Sequence, residues 1–126
     1  MTISNAVTWF EIGTDRPDEA QRFYGDLFGW SFTEQGTGEA SYRTTEGGGA
    51  GIGGAIRGTA GAGPNYAIFY VQVADVAETC RRAEAAGGKV LVPTKRNDNG
   101  LTLAHLLDPA GNHVGVFAPP PGPADA

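Results

Sequence analysis

Trp9-Phe10-Glu11-Ile12, a polar turn through Asp15 to Pro17, then Phe23-Tyr24, Leu27-Phe28 and Gly29-Trp30: this stretch decides the fold, because the chain says it twice. From Phe69 the grammar returns as Phe69-Tyr70-Val71-Gln72-Val73, Asp75, a helical segment through Cys80 and Ala83, and Gly87-Gly88-Lys89-Val90. Strand, capped helix, glycine stop, strand is one unit written in two copies. A repeat of this kind means that neither copy buries its hydrophobic face well alone.

Working outward, Ala6 to Ile12 reads as a strand and Pro17 to Phe28 as a helix. Ala20, Phe23, Tyr24, Leu27 and Phe28 fall on one helical face, expected to be covered by sheet. Asp15 is the expected N-cap, Asp18 and Glu19 suit the helix dipole, and Gly29 suits the C′ position. Strands are expected over 30–34, 40–45 and, diluted by glycine, 52–57. In the second copy, Tyr66 to Val73 is a strand, Asp75 and Glu78 form a capping signal, and Gly87-Gly88 ends the helix. Strands follow over 89–93, 101–107 and 113–117. The last two are joined by the turn Asp108-Pro109-Ala110-Gly111-Asn112. Each copy is thus β-α-β-β-β, an α+β arrangement. Module one covers about 1–60 and module two about 61–118, in a single domain over 1–118. The Pro-rich tail 119–126 is expected to be disordered.

Composition narrows the partners. The chain has 126 residues, a net charge of −5 and 40% apolar residues, enough for a core. An acidic balance excludes nucleic acid, since Arg81-Arg82 and Lys95-Arg96 read as solvated pairs. The single cysteine, Cys80, excludes an internal disulfide and reads as a buried, inert thiol. No apolar run has the length of a membrane span, and no signal peptide is visible, so the expected location is the cytoplasm.

These features resemble the vicinal oxygen chelate superfamily, which includes glyoxalase I, bleomycin-resistance proteins, fosfomycin-resistance transferases and extradiol dioxygenases. The resemblance rests on Trp9-Phe10-Glu11-Ile12, the helix end at Phe23-Tyr24 through Trp30, Ala86-Gly87-Gly88-Lys89-Val90, and the turn 108–112. It implies two βαβββ modules forming an open, barrel-like cup with the helices outside. A homodimer is expected, because modules of this fold leave sheet edges and apolar surface that a two-fold partner can cover; in the relatives the modules pair either within one chain or across a dimer, and both arrangements stay open here. Metal-dependent relatives place His, Gln or Glu on the first and last strands of each module. Here those positions fall on Trp9, Ile68 and Gly115, with no ligand side chain near 52–54. Trp, Ile and Gly cannot coordinate a cation. The expectation is therefore no metal and no cofactor, with glyoxalase I or dioxygenase chemistry disfavoured.

Strand parity then names the expected cup lining. Trp9 takes Glu11 with it, Ile68 takes Tyr66, Tyr70 and Gln72, and Gly115 takes His113. His105 matches a position that faces substrate in the fosfomycin-resistance relatives. Trp30 and Tyr42 are candidate wall residues. Each has a structural alternative: Glu11 paired with Arg43 or Arg57, His105 as a core histidine, His113 exposed at a strand entrance, and the tryptophans as packing. Gly49-x-Gly51-x-x-Gly54 matches a dinucleotide fingerprint in form only, because no helix opens after it. No Walker motif or nucleophile elbow is present.

Three readings of function follow. The first is binding of a small aromatic or hydrophobic metabolite or drug without metal. The second is a metal-independent isomerase, lyase or cyclase using Glu11 and His105 as base and acid. The third is a shifted metal site at Glu11, His105 and His113.

Overall fold

A computed structural model describes residues 5–35 and 41–120. The elements are β1 (Ala6–Thr14), α1 (Pro17–Phe28), β2 (Thr33–Glu34), β3 (Tyr42–Thr45), β4 (Gly53–Gly58), β5 (Tyr66–Gln72), α2 (Val76–Ala85), β6 (Lys89–Arg96), β7 (Thr102–Leu107) and β8 (His113–Ala118). The chain divides into two compact units, 8–69 and 1–7 with 70–126, the boundaries falling inside β1 and β5. The start of the expected strand at Ala40 and most of the Pro-rich tail, 121–126, lie outside the described residues.

The first unit orders its strands β2-β3-β4-β1, with β1 parallel to β4 and the rest antiparallel. Register separates the two faces of this sheet. Trp9, Glu11 and Gly13 stand opposite Gly53, Ala55 and Arg57, and Tyr42 and Thr44 extend the same rows. The other face carries Phe10, Ile12, Ile56 and Arg43, and it is the face α1 covers. The clamp there is Arg43, a buried guanidinium that donates to Asp18 at 2.7 Å and Gln21 at 3.1 Å on α1. Its Nε–H donates to Ser41 Oγ.

The second unit orders its strands β5-β8-β7-β6, again with one parallel pair, β5 with β8. Val73, Ala104, Leu106 and Val116 form one face, and α2 packs Val76 and Cys80 onto it. This core is apolar because helix and sheet both supply small or branched side chains that interdigitate. The opposite face carries Tyr70, Gln72, His105, His113, Gly115 and Phe117. Asp75 caps α2 by accepting from the Glu78 N–H at 2.9 Å, as the capping signal requires.

Two local expectations are corrected. The N-cap of α1 is Arg16, without a side-chain cap, and Thr14 Oγ1 accepts the Arg16 N–H instead of Asp15 closing the turn. The apolar stripe of α1 is only partly covered: Phe23 and Leu27 are each 58% exposed and Phe28 is 55% exposed. Periodicity marks a face as apolar but does not say what covers it. Here α1 is held by the Arg43 clamp, and its ring-bearing end gathers Tyr24, Phe28 and Trp30 into a surface cluster. Gly29 closes the helix in the left-handed region, φ 75°, donating to the Gly25 carbonyl.

Candidate functional site

In each unit the polar chemistry lies on the sheet face away from the helix. In the first unit its centre is Glu11, 3% exposed. One carboxylate oxygen accepts the Tyr42 hydroxyl at 3.1 Å, and the other accepts the Tyr66 hydroxyl. Each phenol oxygen is itself a hydrogen-bond acceptor, from Trp9 Nε1–H at 3.0 Å and from Arg57 at 3.1 Å. The chain is continuous: indole, phenol, carboxylate, phenol, guanidinium. Glu11 is therefore not paired with Arg43, which lies on the opposite face; Arg57 reaches it through Tyr66.

Glycine makes this packing possible. A Cβ on Gly13 would lie 2.2 Å from the Tyr66 ring, and one on Gly53 would lie 3.3 Å from the Trp9 ring. The glycine-rich stretch enters β4, a strand and not a helix, which removes the dinucleotide reading. Gly54 does for Phe10 on the helix face what Gly53 does for Trp9.

Both phenols are held well above the ordinary tyrosine value of 10.0, by burial first and by the Glu11 charge second. The folded state thus keeps these protons more tightly than the unfolded chain. Their contribution to stability is fully present below pH 10 and is lost as pH rises above it. Urea midpoints should accordingly hold up to about pH 10 and fall as pH rises beyond it, and fall less in Glu11→Gln, which lacks the opposing charge. Equal falls in both proteins would remove Glu11 as a cause.

In the second unit a chain of three side chains runs along the corresponding face. Tyr70 Oη lies 2.6 Å from His105 Nε2, and His105 Nδ1 lies 2.7 Å from His113 Nε2. Tyr70 and His105 are buried, whereas His113 is partly exposed and held below its ordinary value by burial. Gly115 lies opposite both Tyr70 and His105, and a Cβ there would be 2.5 Å from the Tyr70 ring. That glycine is a seat for the ring, as Gly13 is for Tyr66.

The remaining expected residues divide. Gln72 shares the face of Tyr70 and sits opposite Phe117. Trp30 packs with Phe10 at 5.6 Å and Tyr24 at 5.9 Å between ring centroids, on the α1 side, and also borders a hollow with Trp9 and Thr44. A groove of about 800 Å³ in the first unit runs along α1 past Ile12 and Thr14 and is not centred on Glu11. Arg57, which the sequence offered only as an alternative partner of Glu11, is placed in the site by the β1/β4 register that sets it opposite Gly13.

The positions that carry metal ligands in metal-dependent relatives do not fit a cation. Trp9 spends its only donor on Tyr42, Ile68 is a buried aliphatic, and the space beside Gly115 holds the Tyr70 ring. Among the described residues no three His, Cys, Asp or Glu side chains gather as a metal centre requires.

Comparison with known proteins agrees with this architecture. Residues 6–116 match the model of the Glyoxalase/Bleomycin resistance protein/Dioxygenase superfamily, and the chain belongs to that superfamily. It is 32% identical over 120 residues to "Putative glyoxylase CFP32" of Mycobacterium bovis and of Mycobacterium tuberculosis, covering 94% of this chain and 46% of theirs. The chain thus spans about half the length of these curated relatives. Among solved structures it is similar to methylmalonyl-CoA epimerase from Mycobacterium tuberculosis: TM-score 0.66, 16% identity, 100% of this chain and 97% of that one. A Streptomyces coelicolor methylmalonyl-CoA epimerase bound to 2-nitronate-propionyl-CoA gives TM-score 0.62 at 14% identity, covering 94% and 99%. At these identities the structural likeness speaks for the fold alone.

Proposed function

We propose that this protein binds a small aromatic or hydrophobic molecule without a metal, orienting it through Glu11 and the phenols that hold it. The supporting observation is the buried carboxylate clasped by Tyr42 and Tyr66, with Trp9 and Arg57 behind them. Such a group is preorganised: its partners are fixed before a ligand arrives, so little ordering cost remains. Aromatic side chains supply burial and stacking, and the carboxylate supplies direction. A solved relative of this fold holds a coenzyme A thioester analogue, which supports a small-molecule role for the architecture.

Tryptophan fluorescence, titrated with a panel of aromatic metabolites, tests the reading through Trp9. For a ligand so found, Glu11→Gln should weaken affinity about 10- to 100-fold, the loss of one charge-assisted hydrogen bond. His105→Ala is the companion variant in the other unit. A ligand whose affinity ignores both changes removes this assignment.

The Tyr70–His105–His113 chain favours a second reading, acid–base catalysis of the isomerase, lyase or cyclase kind, with His105 as an acting group; Glu11 is the acid–base candidate of the other unit. The proposal extends to a homodimer, supported by the exposed Phe23, Leu27 and Phe28 of α1. Light scattering should give twice the chain mass, and Leu27→Lys should return the chain mass; a wild-type monomer at micromolar concentration removes the dimer. Cytoplasmic residence also belongs to the proposal, supported by the free, buried thiol of Cys80.

A further inference from the structure

We infer that Tyr70, His105 and His113 form a proton relay, in which Tyr70 exchanges a proton with a bound substrate and His113 stores it at the other end. This goes beyond the binding reading and does not depend on it.

The argument begins with the geometry of one imidazole. Both ring nitrogens of His105 are engaged, Nε2 by Tyr70 Oη at 2.6 Å and Nδ1 by His113 Nε2 at 2.7 Å. A neutral imidazole carries one N–H, so one contact is donated and the other accepted. The two ends are therefore coupled. When Tyr70 donates to Nε2, the proton of His105 sits on Nδ1 and is donated to His113. His113 then carries its own proton on Nδ1. When His113 is an imidazolium its Nε2–H donates to His105, whose proton must sit on Nε2 and be donated to Tyr70.

Passage between these states balances. The substrate gives a proton to Tyr70 Oη. Tyr70 passes its hydroxyl proton to His105 Nε2, and His105 passes its Nδ1 proton to His113 Nε2. Three bonds to hydrogen break and three form. The substrate becomes an anion and His113 a cation, which releases its proton to solvent from its partly exposed position. The reverse sequence delivers a proton. No net charge rests on the buried Tyr70 or His105, where an isolated charge is costly.

The fold holds the line straight. Gly115 lies between β5 and β7, opposite both Tyr70 and His105, and its missing side chain lets the Tyr70 ring lie against the strand. The rings of Tyr70 and His105 meet edge to face at 82°, and Phe117 meets the Tyr70 ring at 76° with centroids 6.0 Å apart. By register Lys89 stands opposite Leu107, which pairs with His113, and Lys95 stands opposite Leu103, which pairs with Phe117. Asp108 stands at the turn ahead of His113, kept below the ordinary carboxylate value by its bonds from Asn112. Burial, which disfavours the charged form of His113, is what lets it give the proton up again.

The test needs no ligand. Protein labelled with ¹⁵N in histidine is followed by long-range ¹H–¹⁵N correlation across the titration of His113. The relay requires His105 to change from the Nδ1–H to the Nε2–H tautomer in step with His113, while staying neutral. His113→Gln, checked for folding by near-UV circular dichroism, should remove that change; in Tyr70→Phe the Nδ1–H preference of neutral His105 should weaken. Should the His113 variant fail to fold, the wild-type spectra decide alone. A His105 that keeps one tautomer while His113 titrates, or takes up its own proton, overturns the relay. Because no ligand is present, failure here leaves the binding reading standing, and a silent fluorescence panel leaves the relay standing.

Discussion

Alanine at Gly13 or Gly115 is expected to lower the unfolding free energy by about 1–3 kcal/mol, the cost of forcing extra volume into a packed site. Neither glycine has a positive φ, so the effect is steric and not conformational. The new methyl would lie 2.2 Å from the Tyr66 ring in one case and 2.5 Å from the Tyr70 ring in the other. Neither contact is tolerable, and a ring on a strand moves only by changing rotamer. At position 115 the ring cannot move without leaving His105, so Gly115→Ala should also break the 2.6 Å bond from Tyr70. Urea denaturation reads the first effect as a lower midpoint at unchanged slope. The histidine spectra read the second. A variant as stable as the parent would show that the rings have room the geometry denies them.

Glu11→Ala is expected to cost about 2–5 kcal/mol, because it strands two partly buried donors at once. Tyr42 and Tyr66 both direct their hydroxyl protons at this carboxylate, while their oxygens are occupied by Trp9 and Arg57. Neither phenol can turn its proton toward its own donor. Glu11→Gln should cost about 1 kcal/mol, since one acceptor oxygen and the volume are kept. The difference between the two variants, measured by urea denaturation, separates loss of hydrogen bonding from loss of charge. If alanine costs no more than glutamine, the carboxylate is not what holds the two phenols.

Much of this protein was legible before any coordinates. The repeat, the Pro17 and Gly29 limits of α1, and the Asp75 cap follow from backbone chemistry that local sequence states directly. Parity along β1, β5 and β8 placed Trp9 with Glu11, and Tyr70 with Gln72, because a strand alternates faces whatever its neighbours.

Tertiary structure alone decided the rest. Register between β1, β4 and β3 set Tyr42 and Arg57 beside Glu11 and sent Arg43 to α1, and one residue of slip would exchange those roles. Exposure of Phe23, Leu27 and Phe28 was likewise invisible, since a hydrophobic stripe records affinity for a partner and not the partner's presence. The seats at Gly13 and Gly115 are the plainest case. In the sequence each is an absent side chain; in the fold each is the space a tyrosine ring fills, because strands far apart along the chain lie side by side.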